Sequence, residues 1–252
     1  LEPQPTTEDA PVSGEEYDEG ILEIKCPDPL VSAEDNDVTI WVDPVDGTSS
    51  LAKGNLHSVT ILIGVAFKTD AVAGVIHCPF AHPYQNLIFS DEHANCWCPF
   101  SPGHTIYGLC GYGIRGLTLR PPPRKNIITS SKTHWEQMQH GKALKMIYAC
   151  EPQEILHLSG CGFKILSTLT GVSDAYIYPT PGLKKWDTCA PEAILKAAFG
   201  KLTDCNGDSL NYWAPKGLHE ESDKMAFSSV ENGILASLTQ HDIYLDRIKK
   251  AL

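Results

Sequence analysis

The stretch Asp43-Pro44-Val45-Asp46-Gly47-Thr48 constrains this chain more than any other. Just upstream, Val38, Ile40 and Val42 alternate with Thr39 and Trp41, a period of two that predicts a strand with one apolar face. Pro44 stiffens the backbone between the two acids, Gly47 permits a tight turn, and Ser49 onward can open a helix. Both carboxylates are therefore expected in a turn between a strand and a helix start, where loops on a rigid frame carry chemistry. Oxygen ligands held this close suit a hard cation such as Mg²⁺. The same residues would equally make a tight turn with two solvated acids, so the decision rests on partners elsewhere in the chain.

The 252-residue sequence as a whole bounds the answer without giving it. With 42% hydrophobic and 20% charged residues, the chain can build one large or two smaller domains. A net charge of −11 argues against binding nucleic acid polymers. No apolar run reaches the ~18 residues of a membrane span, and no basic-then-apolar leader pattern follows Leu1. The nine cysteines are odd in number and scattered, which favours free thiols in a reducing compartment and a cytoplasmic location. His93, Cys96, Cys98 and His104 could offer zinc ligands, but the Cys-x-Cys spacing is tight and Trp97 and Pro99 crowd it. A surface insertion is the expectation there. Nothing in the pattern fixes an oligomeric state.

Two regions are expected. Residues 1–120 form an α+β part whose first 37 residues are largely loop, and residues 121–252 form an α/β part beyond Pro121-Pro122-Pro123. In the first, Val59 to Phe67 is a near-continuous apolar run expected to be covered on both faces, with Ala71 to Ile76 as its antiparallel partner. In the second, strands are expected at Asn126–Thr129, Lys145–Tyr148, Ala175–Tyr178 and Ile234–Ser237. Helices are expected at His134–Leu144, Gly162–Leu169, Thr188–Phe199 and His241–Leu252, with Asp187 as an N-cap. Lys201–Thr203 and Leu210–Tyr212 flank Asn206-Gly207 as a hairpin.

A candidate partner for the acidic turn is Lys184-Lys185-Trp186-Asp187-Thr188-Cys189-Ala190-Pro191, where a carboxylate at a helix start beside an aromatic can supply one more ligand or simply cap the helix. Phosphate ester hydrolysis needs a cation to offset charge on the transferring group, and closely spaced acids can hold one or two. The pair Asp-Pro-Val-Asp-Gly-Thr and Trp-Asp-Thr-Cys-Ala resembles the lithium-sensitive, magnesium-dependent phosphatases of the inositol monophosphatase superfamily. Lys184 to Leu195, Gly200 to Asp204, Ile127 to His134 and Ser159 to Lys164 are similar to its 3′(2′),5′-bisphosphate nucleotidase branch. The resemblance covers most of residues 38 to 252.

That resemblance implies a layered αβαβα sandwich of the inositol monophosphatase and sugar phosphatase type, mixing α/β and α+β parts. It implies Asp43, Asp46 and Asp187 as metal ligands, Val45 as a carbonyl ligand, and two or three Mg²⁺ ions. Thr48 becomes the water-activating hydroxyl. Ser131, His134, Gly160 and Lys164 become nucleotide contacts, with the first N–H groups of the helix opened by Gly160 and Gly162 available to phosphate. The implied activity is removal of the 3′-phosphate of adenosine 3′,5′-bisphosphate, with an inositol polyphosphate phosphatase or a catalytically incomplete nucleotide binder as rivals. The family also uses an upstream Gly-Glu-Glu segment and an earlier aspartate. Gly14-Glu15-Glu16 is tempting, but an ungapped match around Cys26-Pro27 to Trp41 would put the glutamate at or before Leu1. Gly14-Glu15-Glu16 is therefore expected to be a decoy and the chain to start after the first helices of the fold, leaving apolar faces open.

Overall fold

Alternating apolar residues build the first of two sheets. In the computed structural model, which describes residues 34–81, 103–131, 141–215 and 228–251, five strands form an antiparallel meander. They are β1 (Val38–Asp46), β2 (Thr60–Phe67), β3 (Asp70–Cys78), β4 (His104–Leu109) and β5 (Gly113–Arg115), hydrogen-bonded in that order. A short helix α1 (Thr48–Ala52) and a 3₁₀ turn (Leu56–Ser58) join β1 to β2.

The C-terminal half alternates strands and helices: β6 (Ile127–Ser131), α2 (Lys142–Ala149), β7 (Glu154–Leu158), α3 (Cys161–Leu169) and β8 (Ala175–Tyr178). Then follow β9 (Leu183–Lys184), α4 (Lys185–Ala197), β10 (Lys201–Thr203), β11 (Ser229–Val230), β12 (Ile234–Ser237) and α5 (His241–Ala251). The second sheet has the order β10-β12-β8-β6-β7, with β6 parallel to both β7 and β8 and the rest antiparallel. Helices α3 and α4 lie between the sheets, sealed by Leu62, Ile76, Ile165, Leu166, Ile194 and Leu195 among others. Helices α2 and α5 close the far face of the second sheet through Met146, Ile147, Tyr244 and Ile248. The build is the expected layered mixture of α/β and α+β.

The contact between α4 and the first sheet is unusually close. Gly64, Gly74 and Gly108 stand side by side in register across β2, β3 and β4. A Cβ on Gly64 would lie 2.6 Å from the Ala190 nitrogen, and one on Gly74 would lie 2.5 Å from the Ala190 oxygen. Helix backbone thus rests on sheet backbone at Gly74, and at Gly64 the Cys189 side chain shares the contact. At its other end α4 closes with the 6→1 and 5→2 hydrogen bonds of a Schellman motif, Gly200 N–H to Leu195 carbonyl and Phe199 N–H to Lys196 carbonyl. The left-handed position of that motif is held by Phe199, at φ 66°, instead of a glycine.

Several expectations change. β1 runs on through Asp46, so the two acids sit at a strand end with a register shift between Asp43 and Asp46, not in a free turn. Pro44 suits that bulge because β1 is the edge strand of its sheet and needs no donor there. The apolar face of β1 points outward, with Ile40 62% exposed, while Trp41 and Asp43 face α4. β2 is covered on one face only among the described residues, leaving Ile63 38% exposed. Lys145–Tyr148 is helical: Met146, Ile147 and Cys150 recur at helical spacing and fill one core, and the strand comes later, at Glu154–Leu158. Asp187 is the third residue of α4 and not its N-cap, which is Lys184, whose N–H its carboxylate accepts. The expected hairpin is absent among the described residues. β10 pairs with β12 instead, and Asp204 accepts the N–H groups of Asn206 and Asp208 to make the turn.

Candidate active site

Asp43, Asp46 and Asp187 are brought together: one carboxylate oxygen from each lies within 4.8 Å of the others. They form the one such cluster of metal-capable side chains among the described residues. Asp43 and Asp46 arrive from the bulged end of β1, and Asp187 from the first turn of α4.

Each carboxylate is aimed by a backbone bond. Asp43 Oδ1 accepts the Val45 N–H at 3.0 Å, and Asp187 Oδ2 accepts the Lys184 N–H at 2.6 Å. Pro191 has no N–H to offer, so the carbonyl of Asp187 four residues earlier lacks its usual helix partner. Asp46 is held most firmly. It accepts Cys161 N–H at 2.9 Å, Gly162 N–H at 2.8 Å and the Thr60 hydroxyl at 2.7 Å. Its charge therefore caps the positive end of α3. This corrects the expectation that those amides stand free for phosphate: two of them are already bonded to the protein's own carboxylate.

Glycine is required where the chain enters α3. Gly160 has φ 75°, and a Cβ there would lie 2.7 Å from the Ser58 carbonyl oxygen and 3.1 Å from Asp46 Oδ2. A Cβ on Gly162 would press on Leu62 and Thr60 at 2.6 and 2.8 Å. Only bare backbone allows α3 to approach β1 and β2 closely enough to grip Asp46.

The electrostatics fit a cation. Burial, then the charges of Asp46 and Asp43, pushes Asp187 up to about 8 against the lowering bond from Lys184. Asp43 is also raised, by burial and then by the Asp46 charge. Buried like charges with oxygen as the only donor atom match the preference of Mg²⁺ or Mn²⁺. The residues present therefore fit a hard divalent ion.

The other expected site residues are placed as follows. Val45 lies within the bulge, outside the register pairing of β1 with β2. Thr48 is exposed at the first position of α1. Ser131 ends β6 in register with Leu158 of the parallel strand β7, two residues before Gly160. Ser131 and Gly160 therefore meet at the carboxyl ends of neighbouring parallel strands, where open α/β sheets take their ligands. Lys164 is only 4% exposed, with its Nζ 4.9 Å from the centre of the Tyr176 ring. Burial lowers its pKa, while Cys161, Asp46 and Asp187 oppose that shift. His134, Gly14-Glu15-Glu16, His93, Cys96 and Cys98 lie outside the described residues. His104, the remaining member of the suspected zinc group, bonds the Gly116 carbonyl through Nε2.

Sequence reasoning missed Thr60 and Trp41. Thr60 stands in register opposite Asp46, and Trp41 shares the inward face of β1 with Asp43. Strand pairing would have found the first and period-two alternation the second. Trp41 meets Trp186, the residue before Asp187, with ring centres 6.4 Å apart.

Comparison with known proteins identifies the chain's relatives and its fold. Human and rat 3′(2′),5′-bisphosphate nucleotidase 1 are each 36% identical over 235 residues, spanning 93% of this chain and 68% of theirs. A mouse Golgi-resident adenosine 3′,5′-bisphosphate 3′-phosphatase is 28% identical over 80% of this chain and 48% of its own. An inositol monophosphatase from Zymomonas mobilis superposes with a TM-score of 0.60 at 16% identity, over 87% of this chain and 73% of that one. SaIMPase-II with 2′-AMP bound superposes at 0.58 and 16% identity, over 86% and 74%. The description of the inositol monophosphatase family matches residues 6–241. With the fold, the carboxylate cluster and these likenesses in agreement, the chain belongs to the inositol monophosphatase family.

Proposed function

We propose that this chain is a magnesium-dependent phosphomonoesterase that hydrolyses the 3′-phosphate of adenosine 3′,5′-bisphosphate, giving AMP and inorganic phosphate. The observation that carries the reading is the convergence of Asp43, Asp46 and Asp187 within 4.8 Å beside the strand ends that bear Ser131 and Gly160. Asp43, Asp46, Asp187 and the Val45 carbonyl would hold two or three Mg²⁺ ions. When bound, those ions offset the charge of the phosphoryl group and make water more acidic. Thr48, exposed two residues beyond Asp46, orients the attacking water and accepts a hydrogen bond from it. Ser131, His134 and the backbone at Gly160 hold the nucleotide. Lys164 contributes a buried positive charge behind the site. No covalent phospho-enzyme is needed, because the attacking water is the nucleophile.

The nucleotide substrate is preferred because the nucleotidases match at 36% identity over nearly the whole chain. An inositol phosphate substrate is the second reading, favoured by the fold shared with SaIMPase-II, which has been solved with inositol monophosphate at a TM-score of 0.59 and 18% identity. No described helix is long and apolar enough to cross a membrane. Six described cysteines are free, in keeping with the proposed cytoplasmic setting.

The test is phosphate release from adenosine 3′,5′-bisphosphate and from inositol 1,4-bisphosphate, with Mg²⁺ and with chelator, for the chain and for Asp187→Asn. Turnover of the nucleotide alone, abolished by chelator and by the substitution, is expected. Turnover of the inositol compound alone would move the substrate assignment. Nucleotide binding with no release of phosphate from either would remove the enzyme reading.

A further inference from the structure

We propose that Tyr212 is a positioning residue for the cation: it clamps α4 to β1 and so fixes the separation of Asp187 from Asp43. The inference rests on the reading of the carboxylate cluster as a metal centre.

Tyr212 is fully buried at 0% exposure, yet it lies in a segment between β10 and β11 that belongs to neither sheet. Each of its polar groups is committed to a different element. Its hydroxyl donates to Glu192 Oε2 on α4 at 2.6 Å. Its carbonyl accepts the Trp41 indole N–H on β1 at 2.8 Å. Its N–H donates to the Thr69 carbonyl, in the turn between β2 and β3, at 2.9 Å. Glu192 is itself 1% exposed and holds the Lys196 ammonium at 2.6 Å, so its carboxylate is a fixed anchor on the helix.

The clamp matters because of what the two tethered elements carry. Trp41 and Asp43 project from the same face of β1, two residues apart. Trp186 and Asp187 are neighbours in the first turn of α4. The two contacts form successive rungs of one ladder: Trp41 against Trp186, then Asp43 against Asp187. When both acids are ionised the second rung repels itself. The apolar rung and the Tyr212 bonds behind it resist that repulsion, keeping the two carboxylates close enough to share a cation. Buried, fully bonded polar side chains are suited to such a task because each has one permitted geometry.

The test uses the full chain and Mn²⁺, which shares the oxygen preference of Mg²⁺ and whose free form is counted by its EPR signal. Tyr212→Phe deletes the hydroxyl, Trp41→Phe deletes the indole donor, and the double variant deletes both. Tyr244→Phe is the control. It removes another buried tyrosine hydroxyl, bonded to Asn126 Oδ1 at 2.9 Å in the separate core under α2 and α5. Thermal midpoints are measured without metal for all four.

Each of the two single clamp variants is expected to weaken Mn²⁺ binding about tenfold, the scale typical of losing a group that orients metal ligands. The double variant should lose little more than either, because both cuts open the same link. Tyr244→Phe should lose stability and keep its affinity. If Tyr212→Phe does not fold, Trp41→Phe carries the test from the other side of the link. Unchanged Mn²⁺ affinity in the folded clamp variants overturns the proposal, and so does an equal loss in Tyr244→Phe, which would mean general loosening. Absence of Mn²⁺ binding in the unaltered chain overturns the metal reading itself, and the proposal with it.

Discussion

Replacing Gly74 with alanine should damage the carboxylate cluster without touching it. A Cβ at this position would lie 2.5 Å from the Ala190 oxygen and 3.0 Å from its Cα, both backbone atoms of α4. Restoring ordinary carbon contact requires α4 to retreat by about 1 Å. Ala190 is one helical turn from Asp187, so the retreat carries Asp187 away from Asp43 and Asp46, which stay with the sheet. Overpacking of this kind costs about 1–3 kcal/mol of stability. A displacement of about 1 Å in a positioned group costs on the order of 10²-fold in turnover. The measurements are thermal unfolding and phosphate release under saturating Mg²⁺. Gly108→Ala is the comparison. There the added Cβ would lie 3.1 Å from the Ala197 Cβ, at the far end of α4 and about 15 Å along the helix from Asp187. It should cost some stability and leave turnover nearly unchanged. Full activity in Gly74→Ala, or an equal loss in Gly108→Ala, would refute the idea that helix height above the sheet sets the site.

Two further outcomes are expected. Phe199→Gly should raise stability by about 1 kcal/mol, because a side chain at φ 66° pays a left-handed penalty that glycine avoids. Phe199 is 90% exposed and gives up no burial, so the gain should appear as a thermal midpoint about 2–4 °C higher. The second concerns pH. Asp187 is held up to about 8, so the metal-free native state keeps a proton that the unfolded chain releases near pH 4. Its contribution is fully present below about pH 4 and is lost as pH rises through about 8. Thermal scans of chelated protein should show stability falling over that window. Mg²⁺ should raise the midpoint more at pH 9 than at pH 6, and a larger shift at pH 6 would count against the three acids as its ligands.

The parts of the site legible in the sequence are those whose geometry is local. Asp43 and Asp46 lie three residues apart, and no strand or turn could separate them. Gly160 announces a tight entry to a helix, and the structure puts it where a Cβ would strike Ser58. Asp187 could be tied to them only through the family resemblance, because its approach depends on Gly64 and Gly74, on two other strands. The errors share one cause: local propensity was overruled by distant partners. Ile147 and Tyr148 favour a strand by type, but Met146, Ile147 and Cys150 make a helical stripe that α5 covers. Leu210 to Tyr212 has no strand partner because Tyr212 is committed to Glu192, Trp41 and Thr69. The amides at the start of α3 look open until Asp46 is seen to occupy them, a contact that spans 115 residues of sequence.

That last contact sets an order of events. With Asp46 seated on the start of α3, the metal-free site presents three crowded carboxylates and has lost two of the amides that would otherwise attract an anion. A phosphate ester meeting it in this state encounters net repulsion. The protein has given its own acid the place a phosphate would take, so on the proposed function anion affinity would be conditional on prior cation loading. Such a site would admit its reactants in sequence, the cation ahead of the phosphate ester. Free nucleotide should then bind poorly whenever the cation is scarce.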